Sequence, residues 1–312
     1  MPLPSQYEKI TARAVIAMML SRMETGSSAW VNDLAAKVNS NQATEDYGFL
    51  GTAPALREFI GGRSLKEIKE NSFSITNKDY ENSVRFRTKD MRRDKTGMIR
   101  MRIDDLTDRV NDHPASLLST LIMNGESTPC YDGQYFFDTD HSDGKSGSLS
   151  NDVGYTVTSA TAPTSDEMAE AVLGAIQAMY GFKDDQGEPV NQNARRFGVM
   201  VPVPFMGATL KAVKALLGSG GASATIPALS GDFEIVPVVN PRLTWTTKFA
   251  TFRLDSNAKP FILQQEGAPG ILALGEGSEY EQLHKEQIYG WDWSGNVGYG
   301  MWQGAVLTTL ST

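Results

Sequence analysis

The sequence predicts an α+β fold, in which helices and strands occupy separate stretches of the chain. Thr164 and Glu167 form a capping-box pattern before apolar residues at helical spacing, which predicts a helix ending near Gly181. Apolar and cationic residues alternate over residues 83–103, which predicts strands. The last third of the chain consists mostly of short apolar or alternating runs, which predicts further strands.

Composition narrows the class of protein. The chain has 312 residues, 40% of them apolar and 21% charged, which is typical of about two globular domains. A net charge of -8 argues against a chain built as a nucleic-acid clamp. The single cysteine, Cys130, excludes an internal disulfide and favours a reducing compartment. We expect neither a membrane span nor a signal peptide, because no apolar run reaches about 18 residues.

The first part of the chain reads as helical. Residues 5–24 have the pattern of an amphipathic helix, and residues 30–70 that of short helical pieces with a turn at Tyr47-Gly48.

Residues 83–103 then predict a β-hairpin whose turn lies at Asp94–Gly97. Between Arg85 and Arg102 the chain carries eight Lys and Arg against two Asp, a net charge of +6, so the rest of the chain carries -14. Because a lone two-stranded ribbon is marginally stable, we expect a second copy of the protein to bear it. Two alternatives stay open: a hairpin lying on its own domain, and a weak, salt-sensitive DNA-binding surface. The predicted interface residues are Arg85, Phe86, Arg87, Lys89, Arg92, Arg93, Lys95, Arg100 and Arg102.

The remaining elements follow in order. Residues 104–124 predict a helix in which Pro114 marks a kink or a junction of two helices. The further predictions are a helix over 205–217, a flexible loop over 218–231, strands over 195–203, 233–239, 245–254 and 260–265, and a long closing segment over 289–310.

The acidic stretch YDGQYFFDTDHSDG, residues 131–144, invites a search for chemistry. A calcium loop starting at Asp138 fails, because Asp143 stands where glycine is needed and Leu149 where glutamate is needed. A phosphotransfer site with Asp138 as nucleophile and Asp140 as proton shuttle lacks a preceding buried strand and its downstream partners.

A zinc site at His141 lacks partners at ligand spacing, since His113 and His284 are isolated. The remaining interpretation is a turn-rich segment anchored to a core by its aromatic residues. We therefore predict no catalytic residue, no metal and no cofactor.

The stretch nevertheless resembles the major head subunit family of Mu-like phages. The matching residues are Tyr131, Asp132, Gly133, Gln134, the pair Phe136-Phe137, Asp138, Asp140 and His141. Three further blocks agree in family order: Tyr47–Arg63, Ile75–Met91 and Tyr289–Val306, the last containing Trp302. The departures are Phe49 and Phe59 where tryptophan is usual, and Val297 where alanine is usual. The resemblance covers roughly residues 30–306. It assigns a structural role to its signature residues Tyr131, Asp132, Gly133, Phe137, His141 and Trp302.

The resemblance implies the Hong Kong 97-type capsid fold. Its parts would be an N-terminal arm (1–45), a lead-in to the peripheral domain (46–71), an extended β-hairpin loop (72–103), a peripheral domain with a spine helix (104–164), an axial domain (165–240) and return strands of both domains (241–312).

The implied function is that of a major capsid protein, not an enzyme. Copies would assemble in the host cytoplasm into hexamers and pentamers of an icosahedral virion shell that encloses DNA without sequence-specific binding. Scaffold, portal and decoration proteins would be further partners. Two alternatives are kept: an encapsulin-like compartment, and a metal-dependent phosphohydrolase using Asp138 and Asp140.

Overall fold

The structure is a computed structural model that describes residues 12–25, 28–50, 70–93, 97–217 and 233–312. Its helices are α1 Ala12–Thr25, α2 Ala29–Leu34, α3 Thr88–Arg93, α4 Met98–Asn111, α5 His113–Met123, α6 Ser165–Tyr180, α7 Met206–Leu217 and α8 Glu279–His284. Its strands are β1 Ala35–Ser40, β2 Thr44–Leu50, β3 Glu70–Thr76, β4 Lys78–Arg87, β5 Asp152–Thr156, β6 Arg196–Val201, β7 Glu234–Val239, β8 Lys248–Arg253, β9 Phe261–Glu266, β10 Gly270–Leu274, β11 Glu286–Tyr299 and β12 Ala305–Ser311.

The strands form two five-stranded sheets and a separate ribbon. In the first sheet the order is β1-β9-β11-β10, and β4 also pairs with β11. The 14 residues of β11 allow its first part to pair with β10 and β4, and its last part with β9. In the second sheet the order is β5-β12-β8-β6-β7, and the ribbon consists of β2 and β3.

Helices α6 and α7 pack on each other and against the second sheet. Thr164 caps α6 as predicted: its hydroxyl accepts from the Glu167 N–H at 3.3 Å, and the Glu167 carboxylate accepts from the Thr164 N–H at 2.8 Å. The helix ends at Gly181. Strands β6 to β9 and helix α7 confirm the elements predicted over 195–265, whereas β10 and α8 were not predicted.

The predicted hairpin over 83–103 is wrong in its second half. Residues 83–87 are a strand, but they pair with β11, and residues 98–111 form α4. Ile99 and Ile103 lie four residues apart and are buried together on one helix face, while Met101 is 68% exposed. The alternation of apolar residues therefore belongs to a helix with one outward methionine.

The helical interpretation of residues 30–70 is also wrong where the structure describes them. Only α2 is helical there, and β1 and β2 follow it. The separate ribbon pairs Thr44 with Thr76 and Leu50 with Glu70, so it lies upstream of the predicted hairpin in the sequence.

The helical region around Pro114 consists of two helices, one of the two outcomes that the sequence predicted. Helix α4 ends at Asn111, and Pro114 stands in the first turn of α5, where its missing N–H costs no hydrogen bond. Helix α1 packs on α4, and Arg22 donates to Asp108 at 2.6 and 2.7 Å. The predicted loop over 218–231, the first residues of the predicted helix 5–24 and Lys95 lie outside the described residues.

Candidate functional site

The acidic stretch is a chain of tight turns, as its composition predicts. Isolated bridges join Pro129 to Tyr135 and His141 to Leu149. Gly133 has a φ of 88°, a left-handed conformation that glycine adopts without strain. The Phe137 N–H donates to the Gly125 carbonyl at 2.9 Å, and its ring is only 2% exposed. The stretch is thus pinned to the core at its aromatic residues.

His141 is completely buried and forms the centre of the signature residues. Its Nδ1 lies 2.7 Å from Asp132 Oδ2, and its Nε2 lies 3.2 Å from Asn151 Oδ1. The ring stacks on Trp302 with 4.0 Å between ring centroids and 9° between planes. The C-terminal Trp302 block is thereby joined to the acidic stretch.

Both ring nitrogens of His141 face acceptor oxygens. The Asn151 amide is oriented by the backbone, because its Nδ2 donates to the Phe136 carbonyl at 2.8 Å and its Oδ1 accepts from the Asp138 N–H at 2.8 Å. These two partners and the stacked Trp302 ring hold the imidazole in one orientation.

Asp132 is the common acceptor of this network. Burial alone would raise the pKa of Asp132, but hydrogen bonds from His141 and Cys130 outweigh it and hold the pKa below its ordinary value. The Cys130 thiol donates to Asp132 Oδ1 at 3.0 Å, and burial and the nearby carboxylate raise the pKa of that thiol. Burial also raises the pKa of Tyr131, whose hydroxyl donates to Gln303 Oε1 at 3.0 Å.

Cys130, Asp132 and His141 also form a candidate metal-ligand group, with their ligand atoms within 4.8 Å of one another. The donor set does not fit a metal. Asp132 lies between the other two as their hydrogen-bond acceptor, and the thiol is held protonated, whereas a metal requires the thiolate. The group is a hydrogen-bonded core.

The phosphohydrolase alternative finds no site in the described residues. The Asp138 carboxylate accepts from the backbone N–H groups of Tyr135 at 3.1 Å and Thr139 at 2.7 Å, so it closes a local turn. No strand precedes Asp138 between residues 131 and 137. Asp140 belongs to no candidate metal-ligand group among the described residues.

Three residues of the network escaped sequence analysis: Cys130, Asn151 and Gln303. Asn151 stands in a Ser/Gly/Asn-rich segment, where its buried role has no local signal. Gln303 directly follows Trp302 within the matching block Tyr289–Val306, and this position was the one signal in the sequence that could have indicated its role.

The predicted basic interface residues lie on β4, α3 and α4. Arg85 and Arg87 point outward from β4, and Arg85 approaches Glu286 at 3.4 Å. Phe86 turns inward to a hydrophobic cluster that joins α1, α4 and β11, and Tyr289 and Trp291 are buried there. The apolar side of this segment is therefore covered by its own chain, contrary to the premise of an unsupported ribbon. Lys89, Arg92, Arg93, Arg100 and Arg102 are exposed.

Comparison with known proteins shows what the sequence is similar to. Residues 14–163 match the family described as Mu-like prophage major head subunit gpT. The Mu-like prophage FluMu major head subunit of Haemophilus influenzae is 38% identical over 109 residues, and the major capsid protein of Escherichia phage Mu is 34% identical over 110. These segments cover 35% of this chain in both cases, and 35% and 36% of the two relatives, about a third of their length.

The fold likeness extends over nearly the whole chain. A chain of the procapsid of bacteriophage JBD30 is similar with a TM-score of 0.54 and 20% identity, covering 96% of this chain and 75% of that chain. The chain has the Hong Kong 97-type capsid fold that the Mu-like resemblance implied.

Proposed function

We propose that this protein is the major capsid subunit of a Mu-like tailed phage and has no enzymatic activity. The observation that carries the proposal is the match of residues 14–163 to Mu-like head subunits, continued by a capsid fold over 96% of the chain. The buried network around His141 supports a structural role, because its polar atoms bond to one another and offer no reactive group.

In the proposed shell, copies form hexamers and pentamers of an icosahedral virion head around duplex DNA. The net charge of -8 suits a container wall, since a cationic wall would bind the packaged phosphates. Scaffold, portal and decoration proteins are proposed partners. Among the described residues, no helix is long and apolar enough to cross a membrane.

We further propose that the β2–β3 ribbon is the extended loop of the subunit. Phe73 and Ile75 of β3 lie against Gly298, and Tyr47 of β2 donates to Gln264 Oε1 at 2.7 Å. These contacts fix the base of the ribbon on the first sheet. We also propose an arm at residues 1–45, a peripheral domain around α4 and α5, and an axial domain around α6 and α7.

Negative-stain electron microscopy and sedimentation of the purified protein test the proposal. We expect closed shells or capsomers, and a protein that stays monomeric at high concentration would contradict it. The nucleic-acid content of particles purified from the phage host separates a DNA head from an encapsulin-like compartment with a protein cargo.

A further inference from the structure

The outer side of α3 and α4 is an exposed cationic surface. We call it the basic face: Lys89, Arg92, Arg93, Met98, Arg100, Met101 and Arg102. Within the described ranges, no ion pair engages these five cations. Met98 and Met101 are 60% and 68% exposed. Flexible, apolar methionines among cations favour a protein surface over duplex phosphates, because methionine packs on protein and gains nothing from phosphate.

A second surface on the same chain has the opposite charge. A groove of about 420 Å³ between β4, β10 and β11 is lined by carboxylates and two aromatic rings. We call it the acidic groove: Asp79, Tyr80, Glu81, Glu266, Asp292 and Trp293. Guanidinium groups bind carboxylates through two parallel hydrogen bonds, so the exposed carboxylates of the groove suit arginine.

Behind the acidic groove, on the face of β4 that packs toward α4, lies a buried acceptor without a donor. A smaller cavity of about 120 Å³ shares Tyr80, Glu81 and Trp293 with the groove and is also lined by Asn82. The Asn82 amide is oriented by its Nδ2, which donates to the Leu106 carbonyl at 3.2 Å. Its buried Oδ1 has no hydrogen-bond partner among the described residues. Because successive side chains of a strand point to opposite faces, this acceptor lies on the far side of β4 from Asp79 and Glu81, and the docking depends on the charges of the groove.

The basic face of a subunit cannot fill its own acidic groove. Arg109, which lines the smaller cavity, is nine residues from Arg100, about 13 Å along the helix axis. Arg109 itself is 3.7 Å from Asp105 on the same helix. The two charged surfaces are therefore different patches of one chain, and contact between them must join two copies.

We infer that the basic face of one copy docks its arginine side chains in the acidic groove of a second copy. Because the two patches differ, the contact is head-to-tail, and its repetition forms a ring when the rotation between neighbouring copies closes. The inference rests on the proposed shell function and supplies one of its subunit contacts.

Charge exchange tests the pairing. The groove variant carries Asp79→Lys and Asp292→Lys, the face variant carries Arg100→Glu and Arg102→Glu, and the combined variant carries all four changes. These acids and arginines are exposed and have no ion pair in the described part of the chain, so the subunits should keep the wild-type circular dichroism spectrum. A charge-preserving pair, Arg100→Lys with Arg102→Lys, is the matched control.

We expect the groove and face variants to lose the particle peak in sedimentation velocity, and the combined variant and the lysine control to keep it. Folded groove or face variants that form normal shells would overturn the docking while leaving the proposed function intact. A folded combined variant without shells would also overturn it. Face-variant shells that form normally but lack DNA would assign the arginines to nucleic acid instead. Failure of the wild-type protein to form any assembly would count against the proposed function itself.

Discussion

At Asp132, one carboxylate organises the family signature. It accepts from the Cys130 thiol, the Gln134 N–H and His141, so residues eleven positions apart in the chain share one acceptor. A buried carboxylate is costly unless it is hydrogen-bonded, and these three contacts supply its hydrogen bonds. The Asp/His pattern that suggested a metal or a nucleophile is therefore explained by packing of the turn.

Replacing Asp132 by asparagine should destabilise the subunit by about 3 kcal/mol at neutral pH, because the amide cannot keep all the hydrogen bonds that the buried carboxylate makes with Cys130, Gln134 and His141. The pKa of Asp132 is lowered by folding, so its stabilisation is present above the ordinary pKa of 3.8 and is lost as pH falls through the folded value. The difference between wild type and Asp132→Asn should therefore shrink on acidification, measured by urea unfolding between neutral pH and pH 3.

The exposed neighbour Asp140 provides the control for this experiment. Asp140→Asn should change the free energy of unfolding by less than about 0.5 kcal/mol. A constant difference between Asp132→Asn and wild type across the pH range would contradict the assigned ionisation of Asp132.

At the scale of single elements, the sequence was informative where one local rule acted alone. The capping box of α6 was predicted from neighbouring residues alone, and Pro114 marked either a kink or a junction of two helices, of which the structure has the junction. The prediction was wrong at Ile99, Met101 and Ile103. Their spacing of two residues fits a strand, but Ile99 and Ile103, four residues apart, also fit one face of a helix. Only contact with α1 and β11 decides between these structures, and no local pattern reports it.

Thr164→Ala should lower the stability of the subunit by about 1 kcal/mol, because the first turn of α6 loses its side-chain acceptor. The shift in the urea midpoint at unchanged slope measures this loss. Thr164→Ser, which keeps the hydroxyl, should remain close to wild type, and an equal loss in both variants would refute the capping role.

The base of the ribbon depends on the absence of a side chain at Gly298. A Cβ there would lie 2.4 Å from Ile75 Cδ1 and 2.7 Å from Phe73 Cε1. Gly298→Ala should therefore cost about 1–3 kcal/mol through overpacking and increase hydrogen exchange in β3.

Gly154→Ala is the matched control for the ribbon, since a Cβ at Gly154 has nothing within 4 Å. Its β3 exchange should equal that of wild type. Unchanged exchange in Gly298→Ala would show that the ribbon base is not tightly seated on β11.

On the scale of the whole molecule, the capsid assignment came from four sequence blocks in family order, not from the physics of the basic segment. The hypothesis of an unsupported cationic ribbon failed, because Val84 and Phe86 pack into a cluster within the same chain. The residues that join distant parts, such as Asn151 and Trp302, become partners only through the fold.

If subunits associate through opposite charges, assembly should depend on ionic strength. The Debye length falls from about 10 Å at 0.1 M salt to about 3 Å at 1 M, which screens the approach of the basic face to the acidic groove. Light scattering should show slower assembly of wild type at high salt. The combined charge-exchange variant should show the same dependence, and salt-independent rates would argue against electrostatic association.

Cys130, the one cysteine of the sequence, is buried and can therefore report on local opening of the structure. Cys130 is 6% exposed and its raised pKa suppresses the nucleophilic thiolate, so maleimide should modify it only when the surrounding turn opens. The labelling rates of free subunits and of assembled particles would then show how often the turn around Cys130 opens before and after shell assembly. Maleimide labelling of this one cysteine would therefore follow shell assembly without an engineered tag.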